Sequence, residues 1–191
     1  MSTALVIVDM QRDFQSGSLA VTGGQSFNNK IIAAGNNADF VAFTGDLHPP
    51  DHISFSNDPK FVDKSWPAHC VEGTPGSDID DDLLDAFPNA PIFWKGTHQD
   101  VEEYSGFAGH SVDGVSLRRW LIDHQVSVVV VVGLALDFCV KATALNSVPD
   151  FHTVVLLDAT RPVAYDSGVA SIIELLHAGV EIGMTNTTIE A

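Results

Sequence analysis

The chain has 191 residues, enough for one domain with a sizeable core, and 45% of them are hydrophobic, which argues against disorder. Its formal net charge of −16, from 25 acidic and 9 basic residues, would repel phosphate backbones and anionic lipids, so it excludes nucleic acid and membrane surfaces as favoured partners. No run approaches the roughly 20 apolar residues of a membrane span, and the first residues lack a basic flank, so we expect a cytoplasmic protein with reduced cysteines.

Short apolar runs alternate with helix-like segments along the chain. We predict strands at 4–8, 39–44, 91–94, 126–133, 153–157 and 180–184, and helices near 26–37, 79–86, 115–124, 138–147 and 166–178. In the last helix, Asp166 is the expected N-cap and Gly179 the stop signal. Apolar strands that alternate with helices indicate a parallel sheet covered on both faces. The predicted fold is therefore of the α/β class, a three-layer α/β/α sandwich around a mostly parallel, roughly six-stranded sheet, forming a single domain over residues 1–191.

A long loop at about 46–78 interrupts this alternation, and a loop of that length in a compact domain is usually functional. Asp46 and His48 are spaced so that both side chains point to the same side of an extended strand. His69, across the loop, could complete a site of one carboxylate and two imidazoles. This set suits one divalent ion, with Zn²⁺ favoured over Fe²⁺ and Mn²⁺. His52 is either a fourth ligand or a hydrogen-bond partner.

Other reactive side chains follow the ends of predicted strands, where parallel α/β sheets collect ligands. They are Asp9, Lys95, Asp158 and the segment that reaches Cys139. A helix start and the Lys95 ammonium would lower the pKa of the Cys139 thiol and make it a nucleophile. Asp9 could then accept its proton and return it to a leaving amine. Cys139 as a small buried hydrophobe and Cys70 as the alternative nucleophile remain open interpretations.

Three aromatic residues, Phe14, Trp66 and Tyr104, lie beside these candidates in the sequence. Core packing would explain each of them. A flat ring substrate, however, would also require aromatic walls of this kind.

Five segments carry a resemblance to a known family: "VIVDMQRDF", "GDLHPPDHISF", "SWPAHCVEGTPG", "FWKGTHQDVEEYSGF" and "VVGLALDFCVKATALN". In this order they resemble the motifs of nicotinamidases, a branch of the isochorismatase-like cysteine hydrolases, and the similarity extends from residue 4 to about residue 165. The resemblance implies the isochorismatase-like fold. It also implies a catalytic triad and a metal site, which fall on Asp9, Lys95 and Cys139 and on Asp46, His48 and His69.

The resemblance further implies an oxyanion hole made by the backbone N–H groups of Ala135 and Cys139, with a cis peptide between Leu134 and Ala135. The substrate ring would lie between Phe14 and Trp66. The chain departs from the family pattern at two positions, Leu47 and Leu136, where many members carry an aromatic residue and a threonine. Family members also differ in whether a fourth protein ligand exists, which leaves His52 open.

The resemblance implies a metal-dependent cysteine amidohydrolase that converts nicotinamide to nicotinate and ammonia through a thioester on Cys139, and that also deamidates pyrazinamide. A related enzyme acting on another carboxamide or a carbamoyl group is the main alternative. Two further alternatives are a metallohydrolase with a zinc-bound water as nucleophile and a non-catalytic ligand-binding protein. Both a monomer and a homo-oligomer are compatible with the sequence.

Overall fold

A parallel β-sheet forms the centre of the molecule in the computed structural model, which describes residues 2–186. Its strands are β1 (Thr3–Val8), β2 (Phe40–Asp46), β3 (Ile92–Lys95), β4 (Val128–Leu134), β5 (His152–Arg161) and β6 (Glu181–Gly183). The spatial order is β3-β2-β1-β4-β5-β6, and every neighbouring pair is parallel. The predicted six-stranded sheet is therefore confirmed, and all of its described strands run in one direction.

Helices connect the strands, as the alternating sequence pattern predicts. They are α1 (Arg12–Gln15), α2 (Asn28–Gly35), α3 (Asp81–Ala86), α4 (Leu117–Asp123), α5 (Lys141–Ser147) and α6 (Tyr165–His177). Two 3₁₀ turns occur at Pro75–Ser77 and Gly106–Ala108, and a π-helical turn at Leu136–Val140 directly precedes α5. The four-residue helix α1 is not predicted from the sequence. Between residues 2 and 186, no helix has the length and apolar character that crossing a membrane requires.

Two hydrophobic clusters lie on opposite faces of the sheet, because successive side chains of a strand point to opposite sides. On one face, Leu5 and Ile7 of β1 pack with side chains of α2 and α3. On the other face, Val6 and Val8 of the same strand pack with side chains of α4, α5 and α6. Each fully buried aliphatic side chain contributes about 1.5–3 kcal/mol relative to exposure. Burial on both faces produces the predicted three-layer sandwich.

The start of α6 differs from the prediction. Ala164, and not Asp166, occupies the N-cap position. The carboxylate of Asp137 instead holds the two residues that precede the helix, since it accepts hydrogen bonds from Val163 N at 2.9 Å and Ala164 N at 3.3 Å. Asp137 belongs to the π-helical turn, so these hydrogen bonds join two elements that are distant in sequence. The predicted stop at the other end is confirmed, since Gly179 follows the helix with φ +89°.

Gly133 permits the close approach of β4 to β1 just before the site. Its φ is +108°, and a Cβ atom at this position would lie 2.1 Å from Val8 O. No other amino acid fits this backbone conformation and this space without a shift of one strand. The carboxyl ends of β1 and β4 are therefore held tightly together.

Candidate active site

Four ionisable or nucleophilic side chains meet at the carboxyl end of the sheet. Asp9 follows β1, Asp46 and Lys95 end β2 and β3, and Cys139 lies in the π-helical turn after β4. Lys95 Nζ lies 2.9 Å from Asp9 Oδ2 and 3.7 Å from Cys139 Sγ, and it also contacts Asp46 Oδ1. All four side chains are buried. The structure thus brings the three residues of the predicted triad into mutual contact.

Asp9 is positioned by backbone and side-chain contacts to β2. Its φ of +48° turns the chain sharply out of β1, while Asp9 N donates to Thr44 O at 3.1 Å. Thr44 Oγ1 donates to Asp9 Oδ1 at 2.7 Å. Asp9 Oδ2 has no well-aligned hydrogen bond within the described residues, although Lys95 is close. Burial raises the pKa of Asp9 and Lys95 opposes this effect, so Oδ2 is an oxygen ready to accept a proton.

Lys95 supplies a fixed positive charge at the centre of this cluster. Burial acts to lower the pKa of its ammonium, but the adjacent carboxylates of Asp46 and Asp9 outweigh burial and raise the pKa well above its usual value. Lys95 Nζ also donates to Glu103 O at 3.3 Å. The ammonium is therefore held as a cation beside the sulfur of Cys139.

The prediction that the Cys139 thiol has a lowered pKa is wrong for this structure. Burial raises the pKa of Cys139 well above its usual value, and the attraction of Lys95 offsets only part of this effect. The helix start gives less help than expected, because the N–H groups of Phe138 and Val140 are already bonded to Ala135 O, each at 3.1 Å. The resting sulfur is therefore a thiol, and a nearby base is needed to remove its proton.

The candidate metal site lies directly beside this cluster. Ligand atoms of Asp46, His48 and His69 lie within 4.8 Å of one another, and all three residues are buried. His48 Nδ1 is bonded to Gly96 O at 2.8 Å and His69 Nδ1 to Pro67 O at 2.9 Å, which leaves both Nε2 atoms available. Carbonyl contacts of this kind fix the tautomer and ring orientation of histidines that bind metals.

His48 gives the clearest indication that these residues fit a metal ion. Its Nε2 atom is buried and lacks a hydrogen-bond partner within residues 2–186. Burial, followed by the neighbouring His69, lowers the pKa of His48 to about 3, so the ring is neutral and Nε2 carries a lone pair. A buried acceptor without a donor is costly unless a cation occupies the space in front of it.

His52 stands next to this group, with its ring centroid 4.2 Å from that of His48. Both of its nitrogens are engaged, since Nδ1 is bonded to Ser54 Oγ at 2.8 Å and Nε2 to Val101 O at 3.1 Å. These contacts favour the second predicted role of His52, as a hydrogen-bond partner, over the role of a fourth ligand.

A cavity of about 40 Å³ lies between Cys139 and His69. The predicted aromatic residues Phe14, Trp66 and Tyr104 line it, together with Ala135 and Cys139. Trp66 Nε1 donates to Tyr104 Oη at 3.3 Å. The peptide between Leu134 and Ala135, at the edge of the cavity, is cis as the resemblance implies.

Two other candidates lie outside the cluster. Asp158 is part of β5, where its carboxylate accepts hydrogen bonds from Thr185 N at 2.8 Å and Thr185 Oγ1 at 2.7 Å. Cys70 is buried in one of the hydrophobic clusters, and burial raises the pKa of its thiol well above the usual value. Its Sγ faces Gly76 O at 3.9 Å. Neither residue lines the cavity that holds Cys139.

Sequence reasoning missed two residues that support the site, Thr44 and Gln11. Gln11 Nε2 donates to Asp46 O at 2.7 Å and Ser77 O at 2.8 Å, while its Oε1 accepts from Asp46 N at 2.7 Å. These bonds fix the end of β2 that carries Asp46. The available signal in the sequence was a polar residue within or directly after an apolar strand, which does not by itself reveal the partner.

Comparison with known proteins shows to which protein family this chain belongs. The model of the Isochorismatase domain family matches residues 3–187, and the chain belongs to this family. It is 42% identical over 186 residues to the nicotinamidase/pyrazinamidase of Mycobacterium tuberculosis, covering 94% of this chain and 97% of that protein. These similarities confirm the resemblance found in the sequence motifs.

Solved structures of similar proteins share the fold. The pyrazinamidase of Pyrococcus horikoshii in complex with zinc has a TM-score of 0.76 and 32% identity, and the alignment covers 96% of this chain and 99% of that chain. The protein PnC1 of L. infantum in complex with nicotinate has a TM-score of 0.81 and 33% identity, with coverage of 96% and 93%.

Proposed function

We propose that this protein is a metal-dependent cysteine amidohydrolase that converts nicotinamide to nicotinate and ammonia, and that also accepts pyrazinamide. The observation that carries this proposal is the contact of Lys95 with both Asp9 and Cys139, where Cys139 lines a cavity bordered by His69 and aromatic side chains. The relative with 42% identity, which is named as a nicotinamidase/pyrazinamidase, supports the choice of substrate.

In the first half-reaction, Asp9 Oδ2 accepts the proton of the Cys139 thiol, and the thiolate attacks the carbonyl carbon of the carboxamide. The ammonium of Lys95, 3.7 Å from Sγ, stabilises the thiolate as it forms. We assign the oxyanion hole to the backbone N–H groups of Ala135 and Cys139, and in comparable sites one such donor contributes about 3 kcal/mol. The carbon–nitrogen bond then breaks, Asp9 returns its proton to the leaving nitrogen, and ammonia departs from a Cys139 thioester.

In the second half-reaction, Asp9 acts again as a base and takes a proton from water, whose oxygen attacks the thioester carbon. The carbon–sulfur bond breaks, the acid product forms, and the proton held by Asp9 restores the thiol. The raised pKa of Asp9 fits this alternation, because a carboxylate in water would be too weak a base to remove a proton from a buried thiol efficiently.

We assign the metal ligands to Asp46, His48 and His69, and zinc is the proposed ion. The donor set of one carboxylate and two neutral imidazoles supports this assignment, as does the zinc complex of the related pyrazinamidase. When bound, the ion would supply a Lewis acid for the ring nitrogen of the substrate. Phe14 and Trp66 would hold the ring from its two faces.

Replacing Cys139 with alanine tests the thioester route. Metal-loaded wild-type protein should release ammonia from nicotinamide, whereas Cys139→Ala should lose turnover but still bind the metal and nicotinamide. Cys70→Ala is the matched control and should keep its activity, since Cys70 does not line the cavity. Full turnover by Cys139→Ala would instead favour a metal-bound water as nucleophile. A profile of kcat/KM over pyridine and aliphatic amides tests the substrate class.

A further inference from the structure

A second acidic side chain reaches the cavity that holds Cys139, and the reaction described above does not use it. Glu102 lines this cavity. Its Oε2 atom is buried and finds no hydrogen-bond partner in the described part of the chain. The nearest basic nitrogen, His52 Nδ1, lies 3.7 Å from Oε2 and is already bonded to Ser54 Oγ at 2.8 Å. Within the described residues, Glu102 Oε2 therefore faces the site without a hydrogen-bond donor of its own.

The neighbouring Glu103 shows what a structural role would look like in this segment. Its Oε2 accepts a hydrogen bond from Gly96 N at 3.0 Å, and its backbone oxygen accepts one from Lys95. Glu102 makes no comparable contact, but its charge affects Tyr104, which also lines the cavity. Burial, and after it the negative charge of Glu102, raises the pKa of Tyr104.

The substrate and the product of the proposed reaction differ by one charge, because a neutral carboxamide becomes a carboxylate. We propose that Glu102 determines selectivity between them, weakening the binding of the anionic product while leaving the neutral substrate almost unaffected. This inference rests on the proposed function. Electrostatic repulsion between two carboxylates is stronger in a small cavity lined mostly by apolar side chains than in bulk water, since less water screens it.

The formal charges of the site explain how Glu102 would weaken the binding of an anionic product. Lys95 and a bound divalent ion would bring three positive charges, and Asp9 and Asp46 bring two negative ones. With a neutral thiol and neutral imidazoles, the site would keep a net charge of +1 and would hold an anion. Glu102 brings the sum to zero, so the product carboxylate loses its net attraction to the site.

The substitution Glu102→Gln tests this inference, because it removes the charge and keeps the size of the side chain. Calorimetry on metal-loaded protein should show that nicotinate binds about tenfold more tightly to Glu102→Gln than to wild type, a change of about 1.4 kcal/mol. We expect no more than this because the Glu102 side chain is 21% exposed and water screens part of its field. The KM for nicotinamide should stay within about twofold of wild type.

Asp100→Asn is the matched control, since it removes the same charge from an exposed residue two positions earlier that does not line the cavity. It should leave nicotinate affinity unchanged. Equal nicotinate affinity in Glu102→Gln and wild type would overturn the inference, and so would an equal gain in Asp100→Asn. Loss of bound metal in Glu102→Gln would also overturn it, because Glu102 would then support the metal site. A wild-type protein that releases no ammonia from nicotinamide would refute the proposed function itself, which is a separate outcome.

Discussion

Replacing Lys95 with methionine should destabilise the protein strongly. The side chain of Lys95 is fully buried between the carboxylates of Asp9 and Asp46, whose side chains are 0% and 5% exposed. Removing one partner of a buried ion pair costs about 3–5 kcal/mol, because the remaining charge stays buried without compensation. This is a large part of the roughly 5–15 kcal/mol that stabilises a typical domain. At about 2–4 °C per kcal/mol for a chain of this size, Tm should fall by about 10 °C.

The destabilisation should depend on pH in a defined direction. Burial already raises the pKa of Asp9, and loss of the neighbouring ammonium should raise it further. A carboxyl group whose pKa is higher in the folded state opposes folding increasingly as the pH rises through that folded pKa. The pKa of Lys95 is also raised, so its own contribution is lost only at alkaline pH, above its usual pKa. The gap between variant and wild type should therefore be smaller at about pH 5 than at about pH 8.

The measurement is urea unfolding at both pH values with a chelator present, so that no metal cation compensates Asp46. Lys141→Met is the matched control, because Lys141 forms a partly exposed ion pair with Glu174 at 3.0 Å, with side chains 26% and 54% exposed. Surface pairs of this kind contribute about 0–1 kcal/mol. A Lys95→Met variant as stable as Lys141→Met at both pH values would refute a charged, buried Lys95.

Three further predictions concern individual contacts of the site. Thr44→Val removes the hydroxyl that donates to Asp9 Oδ1 at 2.7 Å, so the pKa of Asp9 should rise. The acid limb of the kcat/KM profile should then move up by about 0.7 pH units, which corresponds to a hydrogen bond worth about 1 kcal/mol. An unshifted acid limb would mean that Asp9 is not the base. His48→Ala should lower the metal content of purified protein to well below one ion per chain, as measured by elemental analysis, and full occupancy would exclude His48 as a ligand. Gly133→Ala places a Cβ atom 2.1 Å from Val8 O at a residue with φ +108°, so the free energy of unfolding should fall by at least about 3 kcal/mol. If the variant unfolded at the same urea concentration as wild type, this packing would be contradicted.

The fold was predictable from the sequence because its strands are apolar on both faces, as the run "VSVVVVVG" before Cys139 illustrates. In a parallel sheet such strands end at one edge, which explains why Asp9, Lys95 and Cys139 could be expected to meet there. The contact that holds the chain before α6 could not be predicted, because Asp137 accepts from Val163 over 26 positions of sequence. Local spacing contains no information about a contact that only the folded chain creates.

The protonation state of Cys139 also could not be predicted from the sequence. The interpretation of Cys139 as a low-pKa thiol considered the helix start and Lys95, whereas the depth of burial decides the direction of the shift. His52 illustrates the same limit, since its position beside the metal site was foreseeable but the engagement of both ring nitrogens was not. Burial and hydrogen-bond geometry are properties of the assembled chain.

The acid, the amine and the sulfur come from three different strand ends, between position 9 and position 139. A partial structure that lacks β3 would leave the carboxylates of Asp9 and Asp46 buried without Lys95, which disfavours it. The ion pairs of the reaction centre therefore also favour joint assembly of β1, β2 and β3.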